Sequence, residues 1–418
     1  MIRLGDIFTS FQNISHNQVF ILVLQILITF SPLILASILL LIFWPLWKNY
    51  VQSSFIASLK YTLLEIKLPR ELMKSPAAME IFLNSLHNTA DGNKIKQYWD
   101  GEMRPIFSLE LVSVEGVVKF FIRTEDKRKA GVISALYSQF PEVEINEVDD
   151  YTKSIHFDPK ESKMWGADFK FTMPDPYPIK TYIDYGLDKD PKEEFKVDPL
   201  VPMLEFLGSV GPNQQVWIQY IIKAHNDTQK KSGHWFKKTD AWKDEAKDLV
   251  NKLMARDPKT KVTDFLKLPK MSEGETDIVK AIERSVTKHP FDVGIRAIYI
   301  GKKDIFDAPF GLGGIISSFK HFSTQHLNGF KPDNKKWVMK IEYPWQDYKN
   351  IRKNKQCRLL LEAYKRRCYF YEPFKSKPMV LNSEELATIF HFPGQVAGTP
   401  TLTRIPSKKS EAPANLPI

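Results

Sequence analysis

Cysteine is almost missing: the 418-residue chain holds two, Cys357 and Cys368. Their spacing in a helix-like segment puts both on one face about three turns apart, too far to bond to each other. A disulfide framework is excluded, as expected on the reducing side of a membrane. Metal-ligand spacings are missing too. There is no C-x-x-C and no H-E-x-x-H, and His321 and His326 are not three or four apart, the spacing that would align them on one helix face. A phosphate-binding loop is also lacking. The nearest approach, GIRAIYIGKK from Gly294 to Lys303, fails on spacing and puts Lys303 where a hydroxyl should reach magnesium. It also alternates like a strand. Gly311, Gly313 and Gly314 in FGLGG read as a flexible entry into a helix rather than an anion site. No G-x-S-x-G occurs, and Glu142, Glu144 and Glu147 sit on polar strand faces where solvation is the default. The sequence carries no catalytic constellation and calls for no cofactor or metal.

Long apolar runs are scarce as well, with one exception. Val19 to Trp47 has no charged residue and exceeds the roughly 20 apolar residues a helix needs to cross the hydrocarbon layer. Pro32 and Gln25 are compatible with such a helix, because freed carbonyls can find other donors. Two half-helices would each be too short to span, and no small-x-small site closes the run as in a signal peptide. Residues 1–18 form a short arm, 19–47 the span and 48–60 a juxtamembrane segment. Arg3 is offset by Asp6 before the span, whereas Lys48, Lys60, Lys67 and Arg70 follow it, so the large C-terminal part is expected in the cytoplasm.

Hydrophobic residues make up 43% and aromatics 12% of the chain, enough for a folded body of two or three domains beyond the anchor. Tyr61 to Leu68 alternates as a half-buried strand. Ser75-Pro76 opens a helix with a core stripe of Met79, Phe82, Leu83 and Leu86. Phe107, Leu109 and Leu111 alternate with Ser108 and Glu110; after a turn at Glu115-Gly116, Val118, Phe120 and Ile122 do the same, which is a hairpin. A helix over Lys127 to Phe140, with Ala130, Ile133, Leu136, Tyr137 and Phe140 inward, leads to a last strand at Val143 and Ile145. Residues 61–150 thus read β-α-β-β-α-β, the ferredoxin-like order.

Residues 151–345 can be read the same way. The strands are Asp168 to Met173, Gln214 to Ala224, Phe291 to Ile300 and Lys336 to Ile341. The helices are Asp198 to Gly208 and Gly311 to Leu327, and a polar helical insertion occupies 225–290. The fold class is α+β: an N-terminal transmembrane helix, then two ferredoxin-like domains, the second with the insertion.

Residues 346–390 are a basic helical segment. Over Trp345 to Cys368, Arg352, Lys353, Lys355, Arg358, Lys365, Arg366 and Arg367 stand with Lys349 against only Asp347 and Glu362. Interleaved with Tyr348, Tyr364 and Tyr369, they form a candidate partner or nucleic-acid surface. Anionic lipid and a merely solvated helix face remain open. The net charge of +10 does not choose among these. Asn382 with Glu385 makes a capping-box start for a short helix, and residues 391–418 read as a proline-rich extended linker.

The anchor, LLEIKLPRELMKSPAAMEIFLNSLH, YPIKTYIDYGLDKDPKEEFKVDPLVPMLEFLGSVGPNQQVWIQYIIKAH and ELATIFHFPGQVAGTPTLTRIPSKKSEAPANLPI together resemble a known group. It is the N-terminal region of membrane-anchored proteins related to type IV secretion and conjugative-transfer ATPases (TraG/TraD, HerA-like) of uncultured small-genome bacteria. The resemblance implies a non-catalytic assembly module on the inner membrane, working with a hexameric ATPase in cis or trans. It allows DNA or a second copy as further partners. The family's motor residues map to nothing here: no Walker A, Walker B or arginine finger is present before Ile418. The alternative is a membrane-tethered nucleic-acid-binding protein acting through the basic helix.

Overall fold

The structure, a computed structural model, describes residues 16–69, 72, 74–90, 92–93, 95–188, 197–226, 228–230, 238–254, 272–333, 336–337, 343–394 and 404–405. It divides into two compact units, Met1–Ser58 with Gly92–Met103, and Leu59–Asp91 with Arg104–Ile418.

The first unit is built on one helix, α1 (His16–Ser58). Within Ile28–Ser58 an 18-residue stretch has a mean hydropathy of 2.1 and none of it is buried, so the helix is long and apolar enough to cross a membrane. It runs without a break into the expected juxtamembrane segment. Pro32 cannot donate to the Ile28 carbonyl, and the Ser31 hydroxyl does so instead at 2.8 Å. The backbone polarity freed by the proline is therefore met inside the helix.

The second unit is a ten-stranded sheet with elements on both faces. In chain order it comprises β1 (Tyr61–Pro69), α2 (Pro76–Leu86), β2 (Ile106–Val114), β3 (Val117–Glu125), α3 (Lys129–Gln139), β4 (Glu144–Val148), β5 (Ser162–Phe171), α4 (Val201–Gly208) and β6 (Gln214–Ala224). Among the described residues of the insertion are a small hairpin, β7 (Thr228–Lys230) and β8 (Lys238–Asp240), and two helices, α5 (Ala241–Leu253) and α6 (Glu273–Thr287). Then come β9 (Pro290–Lys302), α7 (Ala308–Lys320), β10 (Phe330–Pro332), α8 (Ile351–Lys365), β11 (Met379–Asn382), α9 (Ser383–Ile389) and β12 (Arg404–Ile405).

Antiparallel pairing gives the order β4-β1-β3-β2 in the first half and β10-β5-β9-β6 in the second. The free edges of the two halves, β2 and β6, pair antiparallel from Ile106↔Lys223 to Val114↔Gln215, so one sheet runs through both. The two halves use the same strand order, and the shared edge leaves neither β2 nor β6 exposed.

Alternation divides the side chains between two cores. Leu64, Ile66, Leu109, Leu111, Ile122, Ile218, Tyr220, Ile295 and Phe169 belong to the larger core, which also takes in Phe82, Leu136, Leu204, Phe319 and Leu386 of the helices. On the other side Phe121, Val112, Trp217, Ile298 and Met164 meet Leu360, Leu361 and Tyr364 of α8. The sequence suggests solvent on that polar face; instead Ser108 and Glu110 are fully enclosed there.

Several expectations shift. In α3 the buried residues are Val132 and Leu136, with Phe140 at the cap, whereas Ala130 and Tyr137 face solvent. Only the part of the helix over the sheet is covered. The last strand of the second half is Phe330–Pro332, paired with β5, rather than Lys336 to Ile341. Lys336 and Trp337 lie in a turn, and 338–341 are outside the described residues. The second-half helix begins at Ala308, capped by Asp307, so the three glycines lie inside it. A Cβ at Gly311 would stand 2.1 Å from the Tyr299 ring and one at Gly314 1.9 Å from Phe206. Gly311 lets α7 approach β9, and Gly314 lets it approach α4. Gly314→Ala is expected to cost about 1–3 kcal/mol of stability by overpacking, measured by chemical denaturation; an unchanged midpoint would contradict this packing.

The linker expectation is corrected at its start. His391 and Phe392 are buried, Phe392 packing edge-on against Phe120 and Phe140. Arg404–Ile405 then adds parallel to the end of β1. Residues 395–403 and 406–418 lie outside the described residues.

Candidate interaction surface

The register brings one polar row into line. Glu65, Phe121, Glu110, Gln219, Arg296 and Asp168 stand directly opposite one another across β1, β3, β2, β6, β9 and β5. Directly opposed residues share a face, and here it is the face covered by α8 and the chain after it.

Arg367 closes the first half of that row. Its Nε and Nη2 donate to the Glu110 carboxylate at 2.9 and 3.1 Å, and its Nη1 reaches Asp150 and the Lys365 carbonyl. Ser108 Oγ, Gln219 Nε2 and Tyr151 OH complete the shell of Glu110 at 2.6, 3.0 and 2.8 Å. Burial alone would raise the Glu110 pKa, but Arg367 and these donors outweigh it and hold the carboxyl below its usual value. Arg296 closes the second half with Nε 2.7 Å from Asp168 and Nη1 donating to the Cys368 carbonyl at 3.2 Å. At Gly294 a Cβ would lie 2.4 Å from the Tyr369 ring. This explains the glycine in the stretch that superficially approached a phosphate loop. These contacts pin residues 367–376 onto the sheet and leave the buried charges satisfied by their own neighbours.

The seven basic candidates therefore separate. Arg367 is not a surface residue: it is 2% exposed and spent on Glu110 and Asp150. Lys365 is half-buried, donating to the Ile155 carbonyl at 2.6 Å, and Arg366, exposed beyond the end of α8, pairs with Glu362 at 2.8 Å. Arg352, Lys353, Lys355 and Arg358 remain exposed on α8. Cys368 lies beyond the end of α8 rather than on it, fully buried, while Cys357 is half-buried.

Arg352 and Lys353 lie in the first turn of α8, where the helix dipole disfavours cations, and Lys355 and Arg358 follow further along the helix. The end is held by Asp347, whose carboxylate accepts from the Arg352 and Lys353 amides at 2.8 and 2.9 Å. Just before it, Tyr343 and Trp345 stack at 4.8 Å between centroids, Trp345 being 77% exposed. Tyr348 and Ile351 are also largely exposed. Cations placed against the dipole beside unburied aromatics are not explained by folding, which makes this basic and aromatic patch the strongest candidate surface. Among the described residues no three His, Cys, Asp or Glu side chains are grouped to hold a metal.

Sequence reasoning missed a second polar cluster, around α9. All seven residues of this helix are buried. Glu385 accepts from the Asn382 and Ile179 amides at 2.9 Å, yet burial lifts its pKa to about 8. Glu384 accepts from Thr181 and pairs with Arg284. The cap pattern was legible; its enclosure was not, because acidic caps ordinarily face water. Next to it His391 Nε2 donates to Asp198 at 3.1 Å and Nδ1 to the Ala387 carbonyl at 2.9 Å, so both ring nitrogens face acceptors. Burial favours the neutral ring, but Asp198 and the carbonyls prevail and raise the His391 pKa above 6.5. The pair's contribution is complete below pH 6.5 and is lost as pH rises through the higher folded-state value. Thermal unfolding is expected to move to lower temperature on that rise, and His391→Gln is expected to flatten the response; an identical pH dependence in the variant would exclude the pair as its source.

The structure therefore defines an α+β protein with an antiparallel sheet and one N-terminal helix apolar enough to span a membrane. The chain belongs to the family described as Domain of unknown function (DUF8128), whose model matches residues 56–404. No curated protein matches it.

Proposed function

We propose that this chain is a membrane-anchored, non-catalytic platform of a type IV secretion or conjugative DNA-transfer machine. On this reading α1 lies in the bacterial inner membrane and the body in the cytoplasm, two ferredoxin-like units joined through β2 and β6. A hexameric ATPase in cis or trans supplies the motor. The observation that carries the reading is the contrast between the buried charges, closed on their own partners, and the accessible Arg352, Lys353, Lys355 and Arg358 patch. The body offers a surface for contact rather than a reactive group.

The test is to reconstitute the full chain in nanodiscs with the hexameric ATPase encoded beside it. The expected result is a stable complex that weakens when Arg352, Lys353, Lys355 and Arg358 are changed together to glutamate; absence of a complex with the intact chain would overturn the proposal. The exposed Tyr343–Trp345 stack beside these cations also favours a second reading, binding of single-stranded DNA. That reading predicts affinity falling steeply with salt, measured by fluorescence anisotropy; a flat salt response would remove it.

A further inference from the structure

Gly92–Met103, between α2 and β2 in the chain, belongs to the same compact unit as α1. Its core is a π-helical turn, Lys96–Asp100, and π turns recur at functional positions. It brings Tyr98 and Trp99 to the aromatic end of α1. Trp44 meets Tyr98 at 5.3 Å between centroids and Trp47 meets Trp99 edge-on at 5.8 Å, with Tyr50 at 6.1 Å from Trp47. Trp47 Nε1 donates to the Tyr98 carbonyl at 3.1 Å. The approach depends on Gly101: its φ is +72°, and a Cβ there would lie 2.4 Å from the Val51 carbonyl oxygen. Despite these contacts Trp99 and Ile95 remain 65% and 64% exposed. Tryptophan and tyrosine rings with one apolar and one wet side collect at the boundary between acyl chains and headgroups.

We infer that residues 95–103 form a second membrane contact, an interfacial wedge whose Ile95 and Trp99 insert into the headgroup–acyl boundary beside Trp44 and Trp47. The occupant of this surface is the bilayer, because the patch is continuous with the apolar surface of α1. The inference rests on α1 spanning a membrane. Together the two elements form an aromatic girdle that fixes the depth and rotation of the helix, which a single unpartnered span leaves free.

The test uses the full chain with Cys357→Ala, the buried Cys368 retained, reconstituted in phosphatidylcholine vesicles. Nitroxide labels are placed at Ile95→Cys, Leu40→Cys in the span and Ser138→Cys on the exposed face of α3, and collisions with oxygen and with a water-soluble nickel chelate are compared. The label at 95 is expected to lose nickel access and gain oxygen access relative to that at 138. Adding Gly101→Ala is expected to return it to water. A label at 95 as nickel-accessible as that at 138 would overturn the wedge, and one shielded from both agents would overturn it in favour of a protein occupant. If the label at 40 also behaved as in water, the spanning reading itself would fall, and the two failures are thereby distinguished.

Discussion

Replacing Arg367 by methionine is expected to destabilise the folded body by about 3–5 kcal/mol, because it leaves a buried carboxylate without its cation. Glu110 is completely enclosed, and its remaining donors, Ser108, Gln219 and Tyr151, are neutral. The pair itself is a weak source of stability, since bringing both charges out of water offsets their attraction. The double variant Glu110→Met with Arg367→Met should therefore lose less than the single Arg367→Met, with a coupling readable from a double-mutant cycle. The sign with pH is also set. In the native protein the Glu110 carboxyl is held below its usual value of 4.5, so its contribution is present above that value and is lost as pH falls through the folded-state pKa. In Arg367→Met the carboxyl can protonate at higher pH, and the penalty should shrink on acidification. Denaturant unfolding of the full chain in detergent, followed by tryptophan fluorescence, measures all of these. A cost for Arg367→Met within about 0.5 kcal/mol, typical of surface changes, would show that the arginine is not the pin described.

The second large effect is expected at Phe392. Its ring is 1% exposed and lies between Phe120 at 5.4 Å and Phe140 at 4.9 Å. Phe392→Ala should cost about 3–5 kcal/mol by removing an enclosed aromatic and leaving a cavity. Trp345→Ala, which removes a larger ring from an exposed position, should stay within about 0.5 kcal/mol. Equal small effects at both positions would mean that the body ends before His391.

What could be read in advance was local. Alternation located β2, β3 and β9, because a strand with one apolar face writes a period of two. Ser75 and Asn382 announced helix starts through their caps. Enclosure from a distance left no local sign. Glu110 alternates with Leu109 and Leu111 and so reads as facing water, yet the arginine that covers it lies 257 residues later. Arg367 in turn sits in a run of cations, where composition suggests a solvated face, and only the chain's turn at its own φ of +51° aims it inward. The basic surface was thus legible as a stretch and not as a set: Arg352, Lys353, Lys355 and Arg358 remain exposed on α8 and Arg366 just beyond its end, whereas Lys365 is half-buried and Arg367 buried. His391 and Phe392 were obscured by the prolines that follow them, since composition over a window cannot separate two core residues from the extended segment beyond. The approach of Trp99 to Trp47 depends on Gly101, and a glycine in a polar loop does not reveal which backbone it will meet.

The account stands most directly on where the folded body lies relative to the membrane. Right-side-out and inverted inner-membrane vesicles carrying the full chain should be treated with protease and probed with antibody to the body. Digestion in inverted vesicles alone is the result the account predicts. Digestion from the outer face, with protection in inverted vesicles, would contradict it.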